Sequence, residues 1–176
     1  MKYQYCPVCG SKLFEELLSE ETIIKCSSVS CRFIFWQNSK PCATAIIYND
    51  KKQVLMAVRG IEPDKGKLDL FGGFLKNGEH PIEGMRRELV EELPGVKLEV
   101  GNVLDFVMDV YGEGGDYTLN IGYLVKFLGG ELMPSDDVVG CEWIDPKKVD
   151  FSRMAFSNNA EFLKKFLNSH IFYESF

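Results

Sequence analysis

Basic residues and histidines are scarce in this sequence, and long apolar runs are absent. No stretch approaches the ~20 apolar residues that span a bilayer, so a membrane partner is not expected. The opening residues Met1-Lys2-Tyr3-Gln4-Tyr5-Cys6 lack the apolar core of a secretory leader, which points to the cytoplasm. Twenty Lys and Arg stand against 26 Asp and Glu, leaving a net charge of -6. No basic stripe is evident to neutralise a long phosphate backbone, so extended nucleic acid is not an expected partner. A small polyanion stays compatible with an acidic chain when bound metal ions supply positive charge locally. Repeats and low-complexity segments are also missing. What is present is an ordinary globular composition, 45% hydrophobic and 26% charged, at a length suited to one full-sized domain plus a small module.

Six cysteines stand at positions 6, 9, 26, 31, 42 and 141. Cys6-Pro7-Val8-Cys9-Gly10 puts two thiols on one tight turn, and Cys26 and Cys31 supply a second pair sixteen residues on. In a reducing compartment, clustered cysteines are metal ligands more often than disulfides. Four thiolates from two turns suit a closed tetrahedral Zn²⁺ site of structural type. Both histidines, His80 and His170, lie far away, which leaves Cys31 as the local fourth ligand. The bland alternative is two disulfides or four unrelated buried cysteines. Residues 1–38 are expected to form this small zinc ribbon, and residues 39–176 the main domain. Residues 37–41 read as the connector, and Cys42 and Cys141, in apolar strand contexts, as core residues.

Beyond the connector, residues 42–48 and 53–59 read as a strand hairpin, and residues 68–75 as a strand running into a tight turn. A helix is predicted from about Pro81 to Leu93, with Ile82, Met85, Leu89 and Leu93 as its apolar stripe and Pro94-Gly95 as its stop. Strands follow over about 97–110, 117–127 and 138–144, with residues 112–116 as a loop. Ser157 is a plausible N-cap for a last helix ending near Asn168. The class is α+β, with a mixed sheet.

The chemistry concentrates in residues 73–92. Gly73 is followed after five residues by Glu79, and after seven more by Arg87-Glu88-Leu89-Val90-Glu91-Glu92. Glu88, Glu91 and Glu92, at i, i+3 and i+4, share one helical face opposite the apolar stripe. Three neighbouring carboxylates repel one another, and hard divalent cations such as Mg²⁺ or Mn²⁺, which take oxygen ligands and share them with substrate phosphates, would resolve that conflict. A solvated acidic helix face is the competing explanation, and it leaves the glycine pair and Glu79 unexplained.

This stretch resembles the signature of the Nudix hydrolase family. Six fixed identities at these offsets arise by chance on the order of 10⁻⁷ per starting position. The resemblance implies an α/β/α sandwich with a mixed sheet. It further implies that Glu88, Glu91 and Glu92 hold catalytic metal ions together with the Gly72 carbonyl, and that Glu79 and Arg87 keep loop and helix in place. Two positions depart from the family pattern. Pro94 stands where a closing glycine is usual, with Gly95 one place later, and Phe71 stands where a proline often precedes the glycines.

With the cysteine module, the layout is similar to the zinc-ribbon branch that includes NADH pyrophosphatases. The Ser-Gln-Pro-Trp-Pro-Phe-Pro run usual in that branch is absent, residues 103–111 reading Val-Leu-Asp-Phe-Val-Met-Asp-Val-Tyr. The implied reaction is metal-dependent hydrolysis of a diphosphate linkage in ADP-ribose, NAD(H) or a similar small nucleotide derivative. The alternative is a nucleotide-sensing or RNA-end-binding regulatory module whose ribbon contacts a partner. A box glutamate, Asp136, Asp137 or Glu142 could take the water proton. Arg59 could meet a phosphate or be an exposed strand-end arginine. Tyr111, Tyr117 or Phe106 could stack on a base or belong to the core. A homodimer is left open.

Overall fold

The computed structural model describes residues 3–112 and 115–173. The chain divides into two compact units, Met1–Asn38 and Ser39–Phe176. Among the described residues no helix is long and apolar enough to cross a membrane.

The first unit is a three-stranded antiparallel sheet in the order β1-β2-β3, with β1 Leu13–Leu18, β2 Glu21–Cys26 and β3 Ile34–Phe35. Its core is small: Leu13 and Ile24 pack with Cys6 and Cys26, flanked by Cys31, Phe33 and Phe35. So few apolar side chains cannot offset the ordering entropy of the segment alone, so a cross-link or a metal must supply the difference.

The second unit is built on a seven-stranded mixed sheet. Its strands are β4 Lys40–Tyr48, β5 Val54–Arg59, β6 Leu68–Asp69, β7 Phe71–Phe74, β8 Lys97–Tyr111, β9 Asp116–Gly129 and β10 Val138–Ile144. The main order is β10-β5-β4-β9-β8, with β6 beside β5 and β7 beside β4. Helix α1, Pro81–Glu92, lies on one face and α2, Ser157–Leu167, on the other, followed by the short α3, His170–Tyr173. The period-2 alternation of β4 shows how the layers form. Ala43, Ala45 and Ile47 point to Met85, Leu89 and Leu93 of α1, while Ile46 points to Phe162, Leu163 and Phe166 of α2. The strand is apolar on both faces because both faces are covered. Gly122 of β9 completes the fit: a Cβ there would lie 2.3 Å from the Phe162 ring.

Four local expectations change. The strand β4 begins at Lys40, inside the predicted connector, because parallel pairing with β9 extends to Lys40 opposite Thr118. The predicted hairpin of β4 and β5 keeps a single pair, Tyr48 opposite Val54, after which the strands diverge and admit β6 and β7. Residues 68–75 form two short strands, because Leu70 turns the chain from one partner to the other. The N-cap of α2 is Phe156, with no side-chain cap of its own. Asp109 on β8 takes that role, accepting from the Asn158 amide at 2.8 Å and the Ser157 hydroxyl at 2.9 Å. A tertiary carboxylate thus replaces the local serine cap. The loop expected over residues 112–116 falls partly on 113 and 114, outside the described residues.

Candidate active site and cysteine cluster

Helix α1 starts where His80 accepts from the Ile82 amide and Pro81 takes the first helical position. One turn in, Arg87 gathers the segment around itself. Its Nε and one terminal nitrogen hold Glu79 bidentately at 2.8 and 2.9 Å, and that same terminal nitrogen reaches the Phe74 carbonyl at 3.2 Å. The Lys76 amide also donates to Glu79. These bonds, the Arg87 pair first, hold the Glu79 carboxyl down at about 2. A planar guanidinium in a carboxylate fork is a directional clamp, and here it locks the loop before the helix onto the helix itself. The other terminal nitrogen of Arg87 lies 2.7 Å from Glu88 and 3.0 Å from Glu91.

Glu92 faces inward from the end of α1 and is 5% exposed. Its Oε2 accepts from the Gly72 amide at 2.9 Å. Burial pushes its carboxyl well above the ordinary range against that single amide, and Asp137, Glu88 and Asp69 add to the push. Burial likewise raises Glu88 against the pull of Arg87, with Glu91 and Asp137 contributing.

Both glycines of the turn are required. Gly72 has φ 131°, and a Cβ there would sit 2.1 Å from the Ala43 carbonyl, while a Cβ on Gly73 would sit 2.7 Å from Glu88 Oε1. Without those glycines β7 could not lie against β4 and beside the glutamates at once. The loop before β10 is tied to the same place, Ser135 donating to the Glu91 and Glu92 carbonyls that end the helix.

Gly72 and Gly73 also line a cavity of about 120 Å³ that reaches Asp137 and Tyr111 and passes between the sheet and the start of α2. One wall is aromatic: Tyr111 lies 5.2 Å from Phe74 edge-on and 5.5 Å from Phe156. The lining also includes the buried polar residues Thr44, Thr118, Asn120, Asn158 and Asn159.

The predicted positions are brought together unequally. Glu79, Glu88 and Glu91 share Arg87, while Glu92, on the same helix end, is held by the Gly72 amide. Asp137 and Tyr111 line the adjoining cavity, whereas Asp136 is exposed with φ 60°. Glu142 lies on β10 opposite Met56, away from the cavity lining, 3.7 Å from Arg153. Phe106 and Tyr117 are largely exposed and also outside it.

Arg59 is not an exposed strand-end arginine: it lines the same cavity. It is 8% exposed and already paired, donating to Asp69 at 2.6 Å and to the Pro63 carbonyl at 2.9 Å, with its guanidinium 4.8 Å over Phe156. Asn159 completes the Asp69 shell at 2.7 Å. An ion pair this enclosed is a fixed wall of the cavity.

Asp69, Thr44, Thr118, Asn120 and the two asparagines were not singled out from sequence. A usable signal existed: Thr44, Thr118 and Asn120 are polar residues inside otherwise apolar strands. A buried polar side chain on a covered sheet face needs a partner or a ligand.

In the first unit the four sulfurs of Cys6, Cys9, Cys26 and Cys31 all lie within 4.8 Å of one another. Cys6 to Cys31 is 3.8 Å and Cys9 to Cys26 is 3.4 Å. A disulfide needs ~2.05 Å, and all six cysteines are free. The edge of a tetrahedron with Zn–S bonds of ~2.3 Å is about 3.8 Å, so the cluster fits that ion. Hydrogen bonds from the Ser11 hydroxyl and amide lower the Cys9 thiol to about 6. Cys42 and Cys141 stand outside the cluster. Among the described residues no comparable convergence of three carboxylates occurs. Glu88 and Glu91 are drawn to Arg87, and Glu92 to the Gly72 amide.

The profile of the NUDIX domain matches residues 38–166. The chain belongs to the Nudix family. It is 34% identical over 103 residues to an ADP-ribose pyrophosphatase of Methanocaldococcus jannaschii, a match covering 57% of this chain and 58% of that protein. The chain thus spans less than two thirds of the length of that curated relative. A Nudix hydrolase of Nitrosomonas europaea superposes with a TM-score of 0.74 at 20% identity, over 97% of this chain and 93% of that one. An ADP-ribose pyrophosphatase of Streptococcus suis superposes at 0.57 and 19% identity, over 74% and 91%. These two likenesses establish the fold.

Proposed function

We propose that this protein is a Nudix-type pyrophosphohydrolase that cleaves the diphosphate linkage of a small nucleoside diphosphate derivative of the ADP-ribose class. The observation that carries this reading is the set of Glu88, Glu91 and Glu92 on α1, two of them held with Glu79 by Arg87 and the third by the Gly72 amide, next to the Gly72 and Gly73 that line the cavity. The similarity to the archaeal ADP-ribose pyrophosphatase points the same way.

The donor set is made of hard oxygens alone, which suits Mg²⁺ or Mn²⁺. Glu88, Glu91, Glu92 and the Gly72 carbonyl would hold such ions. When bound, they neutralise the diphosphate and lower the pKa of a coordinated water. The chain's own residues do the rest. Arg87, anchored by Glu79, restrains Glu88 and Glu91 in the absence of cation. Tyr111, Phe74 and Phe156 offer a planar group an apolar surface. Asp137, which alone of Asp136, Asp137 and Glu142 lines the cavity, takes the proton of the attacking water. Cys6, Cys9, Cys26 and Cys31 would hold one structural Zn²⁺.

The test is hydrolysis of ADP-ribose to AMP and ribose 5-phosphate with Mg²⁺, run beside NADH, NAD⁺, nucleoside triphosphates and dinucleoside polyphosphates. Activity on ADP-ribose or a near derivative is expected, and Glu91→Gln should lower it by about 100-fold or more, since even supporting residues of metal sites cost ~10–100-fold. Equal rates in both proteins would remove the site. Asp137→Asn should lower kcat by about 100-fold with little change in KM, and an unchanged kcat would exclude Asp137 as the base.

A further inference from the structure

Among the described residues, the one buried side-chain oxygen or nitrogen left without a hydrogen-bond partner is Asn158 Oδ1. Asn158 is 6% exposed, sits in the first turn of α2 and lines the cavity together with Gly72 and Gly73. Its surroundings make the omission conspicuous. Next to it, Asn159 is satisfied by Asp69. Across the cavity, Asn120 donates to the Val107 carbonyl and to Thr118. The backbone of Asn158 itself is capped by Asp109. A buried amide oxygen without a partner is destabilising, and the fold bears that cost in the wall of a cavity large enough to admit a ligand group.

We propose that the Asn158 carboxamide reads the base of the substrate, and that it selects a base whose exocyclic amine stands beside a ring-nitrogen acceptor, as in adenine. This rests on the pyrophosphohydrolase reading and deepens it. A carboxamide presents an acceptor and a donor side by side, the complement of an adenine edge, to which asparagine binds bidentately. On that N6/N7 edge guanine and hypoxanthine present two acceptors, O6 and N7, so either orientation of the carboxamide leaves its oxygen unpaired. The cavity supplies the rest of such a subsite. The Phe74, Tyr111 and Phe156 rings give a planar base a face to rest on, and Arg59, fixed by Asp69, backs Phe156 from behind. The glycine rim places the phosphates of the same molecule next to the glutamates.

The test is calorimetric binding of AMP, IMP and purine riboside 5′-monophosphate to the intact, metal-loaded protein and to Asn158→Leu. The wild type should bind AMP about tenfold or more tightly than either analogue, the range in which a lost buried hydrogen bond falls. The leucine variant should bind all three within about threefold of one another and unfold at the same or a higher temperature, because the orphan oxygen is gone. Asn158→Ala must show the same collapse of preference, which guards against misfolding of the leucine variant. Equal binding of the three by the wild type, no binding of any, or retention of the AMP preference by both variants would overturn the assignment. Binding is read without turnover, so it stands apart from the hydrolysis assay. Failure there removes the reaction, and failure here removes the base reader.

Discussion

Two sets of charged ligand groups stand in this chain in different states. The four cysteine sulfurs of the first unit already converge within 4.8 Å. The three glutamates of α1 do not, and two of them share the guanidinium of Arg87 at 2.7 and 3.0 Å. The difference follows from how each set is carried. The cysteines sit on two tight turns of a unit with hardly any other core, so the fold of the unit and the closure of the cluster are the same event. The glutamates sit on a helix held by Met85, Leu89 and Leu93, so their backbone is placed whether or not a cation is present, and their side chains respond to whatever positive charge is nearest. One cluster is part of the structure. The other, on the proposed reading, is a working surface for which Arg87 is the placeholder.

The largest effect expected from this contrast comes from stripping zinc with a chelator or from Cys26→Ser. Structural zinc contributes on the order of 10 kcal/mol to small modules. Amide exchange in β1 and β2 should therefore rise to that of unstructured chain, while α1 keeps its protection. Loss of protection in both would show that the contrast is misplaced. Next in size is Asp69→Ala, which strands the buried Arg59 charge and should cost ~3–5 kcal/mol in urea unfolding. A cost below ~1 kcal/mol would mean that Arg59 is free to serve a ligand.

Glu92→Gln should act in the opposite direction, stabilising the metal-free protein by ~1–3 kcal/mol at neutral pH while impairing hydrolysis. The sign follows from its raised carboxyl. The folded state holds the proton more tightly than the unfolded state, so wild-type stability is full below the ordinary value of 4.5 and declines as pH rises toward the raised one. The advantage of glutamine should be absent near pH 4 and grow upward. Thermal melts across pH would show it, and added Mg²⁺ should erase it. The smallest effect belongs to Arg86→Ala. Its pair with Glu83 is exposed on both sides, and stability should change by less than ~0.5 kcal/mol.

The helix carrying the glutamates was legible in full, because its period, its proline start and its Pro94-Gly95 stop are all local. The cysteine pairs were legible for the same reason. What escaped was set by tertiary structure. Ser157 looked like a cap until Asp109 arrived from a strand 48 residues earlier in the chain. Arg59 looked like a free strand-end residue until Asp69, on the neighbouring strand β6, paired with it inside the protein. The polar lining of the cavity is scattered over β4, β9 and α2, and only the parallel register of β4 with β9 puts Cys42 opposite Asn120 and Lys40 opposite Thr118. The departures at Phe71 and Pro94 proved compatible with the fold: Phe71 is fully buried beside α1, and Gly95 takes the turn at φ 81°.

The most direct measurement is Mn²⁺ binding by electron paramagnetic resonance in the wild type and in a Glu88→Gln, Glu91→Gln, Glu92→Gln variant, with the zinc left in place. The account expects at least one Mn²⁺ per wild-type chain, displaceable by Mg²⁺, and none in the variant. Equal uptake by both proteins, or none by the wild type even with a diphosphate present, would mean that Arg87 is the permanent partner of these carboxylates and that the surface does not gather ions.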